Sequence, residues 1–205
     1  MPAHARSAVF RQLATNGIHA VFEHMATAGI LLDGARAKPL AAALAEARAA
    51  GIQLHAWCIA WNLYDLPAEQ LASLRAQNRL MQDSNGNELP WLCPAHPENR
   101  QRLIDTCTDL ARRGVAGIHL DYIRYPERNG CFCPRHRFAF EGTTTAFHLN
   151  WPADVRDGGA LAADYDQFRR NEMTAFVAEL AAAVRAVDPA VQVSAAVFPL
   201  PEAVE

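Results

Sequence analysis

Residues 114–126 run Gly-Val-Ala-Gly-Ile-His-Leu-Asp-Tyr-Ile-Arg-Tyr-Pro, so an apolar stretch ends by delivering a carboxylate, a guanidinium and two phenols together. The preceding residues Arg112, Arg113 and Gly114 have the character of a helix end, which predicts a buried parallel strand through Leu120. Active sites of α/β folds lie at the carboxyl ends of such strands, and Asp121 stands at this one. A guanidinium close in sequence, Arg124, would favour its ionised form, and an ionised aspartate suits a nucleophile or the stabiliser of a developing cation. Tyr122, Tyr125, Trp57, Trp61 and Trp91 offer flat apolar faces with polar edges, the kind of surface on which sugar rings stack.

Side chains of a strand alternate between faces, so each candidate strand divides into two sets by parity. One set comprises His19, Val21 and Glu23; then Gln53, His55 and Trp57; then His119 and Asp121; then Gln192 and Ser194. The other is apolar throughout: Ile18, Ala20 and Phe22; Leu54, Ala56 and Cys58; Ile118 and Leu120; Val191, Val193 and Ala195. The apolar sets are expected beneath helices and the polar sets around an interior, with Glu23, Trp57 and Asp121 nearest its mouth. Glu23 is thereby the expected acidic partner of Asp121, and His55 and His119 are expected to hydrogen-bond at the same site.

The elements that must position these groups alternate. A short helix over residues 7–16 is stopped by Gly17 and followed by a strand over 18–24. Pro39 suits a first helical turn, Leu40, Leu44 and Ala47 share a face, Gly51 ends the helix, and a strand follows over 52–61. Pro97 and Glu98 open a helix reaching Arg113, and the strand of Asp121 comes next. Met173, Phe176, Val177, Leu180, Val184 and Val187 recur at helical spacing before an apolar run over 191–198. Alternation of this kind implies right-handed crossovers and a parallel sheet. Loops over 62–96 and 127–164 follow the second and third strands, and long loops on that side are characteristic of barrel enzymes. No glycine-rich phosphate turn follows a strand, which argues against a dinucleotide-binding sheet. A full barrel has eight strands in about 250 residues. The prediction is a single α/β domain over 1–205, a partial (β/α)8 TIM barrel with four parallel strands.

With 51% hydrophobic and 20% charged residues, the chain of 205 has the make-up of a globular domain, and disordered and collagen-like classes are excluded. A net charge of −3 provides no basic field for nucleic acid. No apolar run reaches the length of a membrane span and the first residues lack a signal-peptide core. A cytoplasmic location is the default expectation, an extracytoplasmic one if the chain is a piece of something longer. Of five cysteines, Cys58 and Cys107 are expected to be buried and inert, while Cys93, Cys131 and Cys133 fall in loops. Cys131, Cys133 and His136 make a Cys-x-Cys-x-x-His cluster, one ligand short of a structural zinc site, so loop packing is expected and neither metal nor cofactor. No His-x-His or His-Glu-x-x-His pairing supports a metal hydrolase built from His19, His24, His55 and His119 with Asp121.

The run over 117–126 resembles the strand-four signature of the glycosyl hydrolase-like family 10 barrels, remote relatives of the α-amylase class. Leu54-His55-Ala56-Trp57, Trp91-Leu92-Cys93-Pro94 with His96-Pro97-Glu98-Asn99-Arg100, Asn150-Trp151-Pro152 with Asp154, and Ser194-Ala195-Ala196-Val197-Phe198 are similar to that family too. The resemblance implies strands two to five of a barrel and a carbohydrate-active hydrolase on a polysaccharide or cell-wall glycan, with Asp121 at the catalytic strand end. Glycoside hydrolysis ordinarily uses two carboxylates. Glu23, Asp65, Glu127 and Glu141 are the local candidates for the second. The alternative is a non-catalytic carbohydrate-binding module or an inactive barrel segment. Open sheet edges along 18–24 and 191–198, with Val21, Trp57 and Phe198 as exposed apolar surface, predict self-association.

Overall fold

The computed structural model describes residues 3–64, 66–126, 130–145 and 148–197. In chain order the elements are α1 (Ala3–Thr15), β1 (Ala20–Thr27), β2 (Ile30–Leu31), a 3-10 turn (Asp33–Ala35), α2 (Ala37–Ala49), β3 (Gln53–Ile59), α3 (Ala68–Ala76), β4 (Leu80–Gln82), β5 (Glu88–Leu92), α4 (Pro97–Arg112), β6 (Gly117–Asp121), α5 (Pro134–Glu141), α6 (Ala162–Val187) and β7 (Gln192–Ala195).

The sheet order is β2-β1-β3-β6-β7, and β1, β3, β6 and β7 run parallel. Each of these four strands is preceded by a helix, so the architecture is the partial (β/α) barrel that the alternation predicts. The short β2 is an addition, pairing antiparallel with β1 only at Ala26 and Thr27. The long loops have structure of their own. The first carries α3 and the hairpin β4–β5, and the second carries α5.

Local signals account for most boundaries. Gly51 follows α2 at φ +71°, a conformation that suits glycine. Pro97 opens α4, and the side chain of His96 accepts the N–H of Glu98 at 3.3 Å as an N-cap. Glu98 in the first turn and Arg112 in the last match the helix dipole. Helix α6 begins well before Met173, because Tyr165, Phe168 and Arg169 in its early turns are buried against the second long loop.

The core lies between the sheet and the helices. Leu54, Ala56 and Cys58 of β3 and Ile118 and Leu120 of β6 are buried together with Leu40 and Leu44 of α2, Leu103 and Leu110 of α4, and Phe176 and Leu180 of α6. Burial of each large side chain is worth about 1.5–3 kcal/mol. A separate apolar cluster, Phe132, Phe140, Val155, Tyr165 and Phe168, packs the second loop onto the start of α6. Arg6–Glu46 at 2.9 Å links α1 to α2, and Arg100–Glu179 at 2.7 Å links α4 to α6.

Among the described residues, strand β7 forms one edge of the sheet, and β1 has a partner on its outer side only at Ala26 and Thr27. Phe22 of β1 is 49% exposed, whereas Val21 is half-buried. Phe198 lies outside the described residues. No helix among the described residues is long and apolar enough to cross a membrane.

Candidate functional site

Partners in a parallel ladder point to the same face. Register sets His55 beside Gly117, Trp57 beside His119 and Ile59 beside Asp121, with Ser194 of β7 beside His119. These residues lie opposite the helix-packed set Leu54, Ala56, Cys58, Ile118 and Leu120. At the strand ends the Trp57 indole N–H donates to Asp121 Oδ2 at 3.1 Å, and the Tyr122 backbone N–H donates to Asp121 Oδ1 at 2.7 Å. Both carboxylate oxygens therefore have a donor. Tyr122 sits at φ +50°, a left-handed conformation that is uncommon for a bulky residue and turns the chain immediately after the carboxylate.

His119 and Ser194 are joined through Nδ1 and Oγ at 2.9 Å, one step below Asp121 on the same face. His55 lies deeper and is 4% exposed. Its ring fills the space left by Gly117, where a Cβ would fall 2.2 Å from Nδ1. Neither ring nitrogen has a hydrogen-bond partner among the described residues. Burial lowers the His55 pKa, and the neighbouring His119 adds to the effect, so the ring is neutral at pH 7.

Strand β1 departs from the expected parity. Phe22 pairs with His55 and His24 with Trp57, so Phe22 and His24 share the face of Asp121, while Val21 and Glu23 share that of Leu54 and Ala56. Ring contacts agree: Phe22 lies 5.0 Å from His55 and 4.8 Å from His119, and His24 lies 5.1 Å from Trp57. Glu23 stands instead by Gly34, and its charge acts on Arg6 of α1. Glu23 is thus removed as the partner of Asp121. The assignment fails because β1 is an outer parallel strand whose face away from the helices is open, and an exposed Phe22 replaces the polar residue a core argument expects. His24, bonded through Nε2 to Thr27 Oγ1 at 3.0 Å, takes the position given to Glu23. Register against Trp57, rather than polarity, is the signal that finds it.

The aromatic residues divide by burial. Trp61 is fully buried, its N–H directed to the Met173 sulfur at 3.4 Å and its ring 4.8 Å from Phe176, so it belongs to the core rather than a sugar platform. Trp91 is also buried and meets Tyr122 edge-on at 5.6 Å. Tyr122 is half-buried between Trp91 and the guanidinium of Arg124, which lies 4.8 Å from its ring centre. Tyr125 bonds through its hydroxyl to His136 Nε2 at 2.9 Å, and burial keeps that phenol protonated. Of these aromatic residues, Trp57 reaches Asp121 through its side chain, and Tyr122 does so through its backbone N–H.

Among the described residues of the four parallel strands, Asp121 is the one carboxylate on its face. Glu141 pairs with Arg137 at 2.8 Å on α5, and Asp65 and Glu127 lie outside the described residues.

A second constellation lies in the loops. Cys93, Cys131, Cys133 and His136 are all buried, and one ligand atom from each comes within 4.8 Å of the others. Cys93 supplies the fourth group that the Cys-x-Cys-x-x-His spacing lacks. It was not legible because α4 and β6 intervene in the chain. Hydrogen bonds from Cys131 and Cys93 pull the Cys133 thiol well down towards the thiolate.

A sequence model of the family Glycosyl hydrolase-like 10 matches residues 20–203. No curated protein matches significantly. Among solved structures, a hypothetical protein from Ruminiclostridium thermocellum ATCC 27405 is similar with TM-score 0.60 and 17% identity, over 95% of this chain and 92% of that one. The beta-galactosidase from the psychrophilic Marinomonas ef1 gives 0.70 and 13%, over 95% of this chain and 35% of the other. The catalytic domain of beta-amylase from Paenibacillus polymyxa gives 0.61 and 12%, over 93% and 61%. At these identities the likeness is one of fold, that of the TIM-barrel glycosidases, and the chain spans less than two thirds of either named enzyme chain. Since the family match runs from β1 through β7 and takes in Trp57, Asp121 and the loop cluster, the chain belongs to the glycosyl hydrolase-like 10 family.

Proposed function

We propose that this chain carries the Asp121 side of a glycoside hydrolase site acting on a polysaccharide or cell-wall glycan. The single observation that carries the reading is the Trp57–Asp121 pair at the ends of adjacent parallel strands, in a family of glycosyl hydrolase-like proteins. In this reading Asp121 is the nucleophile or the electrostatic stabiliser of an oxocarbenium-like transition state, and the leaving oxygen takes its proton from a second carboxyl group. Trp57 holds the Asp121 carboxylate in place, Tyr122 offers a ring to the sugar, and His24, His119 and Ser194 provide hydrogen bonds around it. Asp65 and Glu127, which lie outside the described residues, are the candidates for the proton donor within this chain.

The runner-up is a carbohydrate-binding (β/α) module without turnover, favoured by the single carboxylate on the strand face. Replacing Asp121→Asn separates the two. Release of new reducing ends from insoluble and soluble glycans should fall by about a thousandfold or more while glycan binding in a pull-down or by calorimetry persists. Equal hydrolysis by the variant removes Asp121 from the mechanism; binding with no hydrolysis by the wild type favours the module.

A further inference from the structure

We propose that Cys93, Cys131, Cys133 and His136 form a structural zinc site that fastens the loop after β5 to the loop after β6. The donor set, three thiols and an imidazole, is one that structural zinc takes; the edges among Cys93, Cys133 and His136 fit one face of a tetrahedron, and Cys131 Sγ lies within 4.8 Å of all three. Zinc–sulfur bonds of about 2.3 Å and zinc–nitrogen bonds of about 2.0–2.1 Å imply S···S edges near 3.8 Å and S···N edges near 3.6 Å. The observed separations are 3.7 Å for the sulfurs of Cys93 and Cys133, 3.4 Å from Cys93 Sγ to His136 Nδ1 and 3.5 Å from Cys133 Sγ to His136 Nδ1. The Cys93–Cys133 distance is far longer than a disulfide of about 2.05 Å.

The surroundings are those of a closed site. All four ligand residues are at most 4% exposed, which leaves no open position for a substrate and makes the role structural rather than catalytic. The neighbours hold the ligands from behind. With Nδ1 towards the metal, His136 keeps its proton on Nε2 and donates it to the Tyr125 hydroxyl at 2.9 Å. The Gln82 backbone N–H points to Cys131 Sγ at 3.4 Å, and the Asn99 amide donates to the Cys93 carbonyl at 2.8 Å. Three thiolates and a neutral imidazole leave one net negative charge on a zinc centre. The buried guanidinium of Arg169 lies 5.4 Å from the Tyr125 ring centre and bonds to the Gly130 carbonyl beside Cys131, so a cation stands close by.

The consequence for the fold is that the metal fixes Tyr125, and through it the segment that leaves Asp121. The site does not rest on the glycosidase reading, and Asp121→Asn should bind as much zinc as the wild type.

The test is elemental analysis of the chain purified under reducing, chelator-free conditions. About one zinc per chain is expected, retained in Cys107→Ser, whose thiol lies in the main core, and lost in Cys133→Ser and in His136→Ala. Should those two variants fail to fold, the wild type still decides. After removal of metal and addition of cobalt(II), the thiolate-to-cobalt charge-transfer band and the visible bands of tetrahedral cobalt should appear, and zinc should abolish them. Wild-type protein that holds no zinc, holds iron in its place, contains a Cys93–Cys133 disulfide, or binds cobalt without a thiolate band would overturn the proposal.

Discussion

Trp57 and Asp121 lie on adjacent parallel strands, and the indole N–H of one donates to the carboxylate of the other at 3.1 Å. The bond fixes the carboxylate at the mouth of the sheet while leaving Asp121 half-buried rather than enclosed. A hydrogen bond to a charged group is worth about 1.5–3 kcal/mol. Trp57→Phe keeps the aromatic face and removes the donor. Turnover should fall about 10- to 100-fold with glycan affinity nearly retained. Steady-state kinetics beside calorimetry checks this, and a rise in KM with kcat unchanged would assign Trp57 to sugar binding alone.

Gly117 and His55 make a second coupled pair. Any side chain at position 117 meets the His55 ring, with Cβ at 2.2 Å from Nδ1. Gly117→Ala should therefore destabilise the fold by about 1–3 kcal/mol. In a His55→Ala background most of that cost should vanish. Urea unfolding of the four proteins gives the coupling, and strictly additive effects would show that the ring does not occupy this space.

His55 also sets a pH dependence. Its pKa is lowered from 6.5 in the fold, first by burial and then by His119. Below pH 6.5 the unfolded chain takes up this proton more readily than the folded one, so folding stability falls as the pH drops through 6.5. This contribution should lower the thermal midpoint of the wild type relative to that of His55→Leu between about pH 7.5 and about pH 5.5. His55→Leu should remove this contribution, while that of His96, whose pKa is also lowered by burial, is common to both proteins. Parallel calorimetric curves for the two proteins would contradict the assignment.

The strand order and the position of Asp121 were legible because continuous apolar runs between amphipathic helices leave few topologies. Trp57 and His119 were placed correctly by parity since β3 and β6 are central strands, where the helix side is uniformly apolar. Glu23 was not, because β1 has an open face carrying Phe22, and hydrophobicity there no longer separates inside from outside. The register shift between His24 and Ala26 further disturbs the alternation. Trp61 looked like a platform because an aromatic at a strand end reads the same whether it meets a sugar or, as here, Phe176 and Met173. The loop cluster depends on Cys93, brought in by a hairpin whose pairing no local pattern announces.

Among the described residues, the outer edge of β7 and most of the outer edge of β1 have no strand partner, and Phe22 of β1 is 49% exposed. Unpaired edges and exposed aromatic surface favour association. Sedimentation velocity should show assembly that grows with protein concentration, and Phe22→Glu should shift it towards monomer. A monomer at every concentration would mean that four parallel strands suffice alone.

The account turns on whether sugar meets Asp121. A crystal structure of Asp121→Asn with a bound oligosaccharide of a cleaved glycan measures this directly. The predicted result is an anomeric carbon about 3–3.5 Å from the residue-121 side chain, with the ring over Tyr122 and Trp57 behind it. A saccharide bound away from the ends of β3 and β6, with the position-121 side chain touching no sugar, would contradict it.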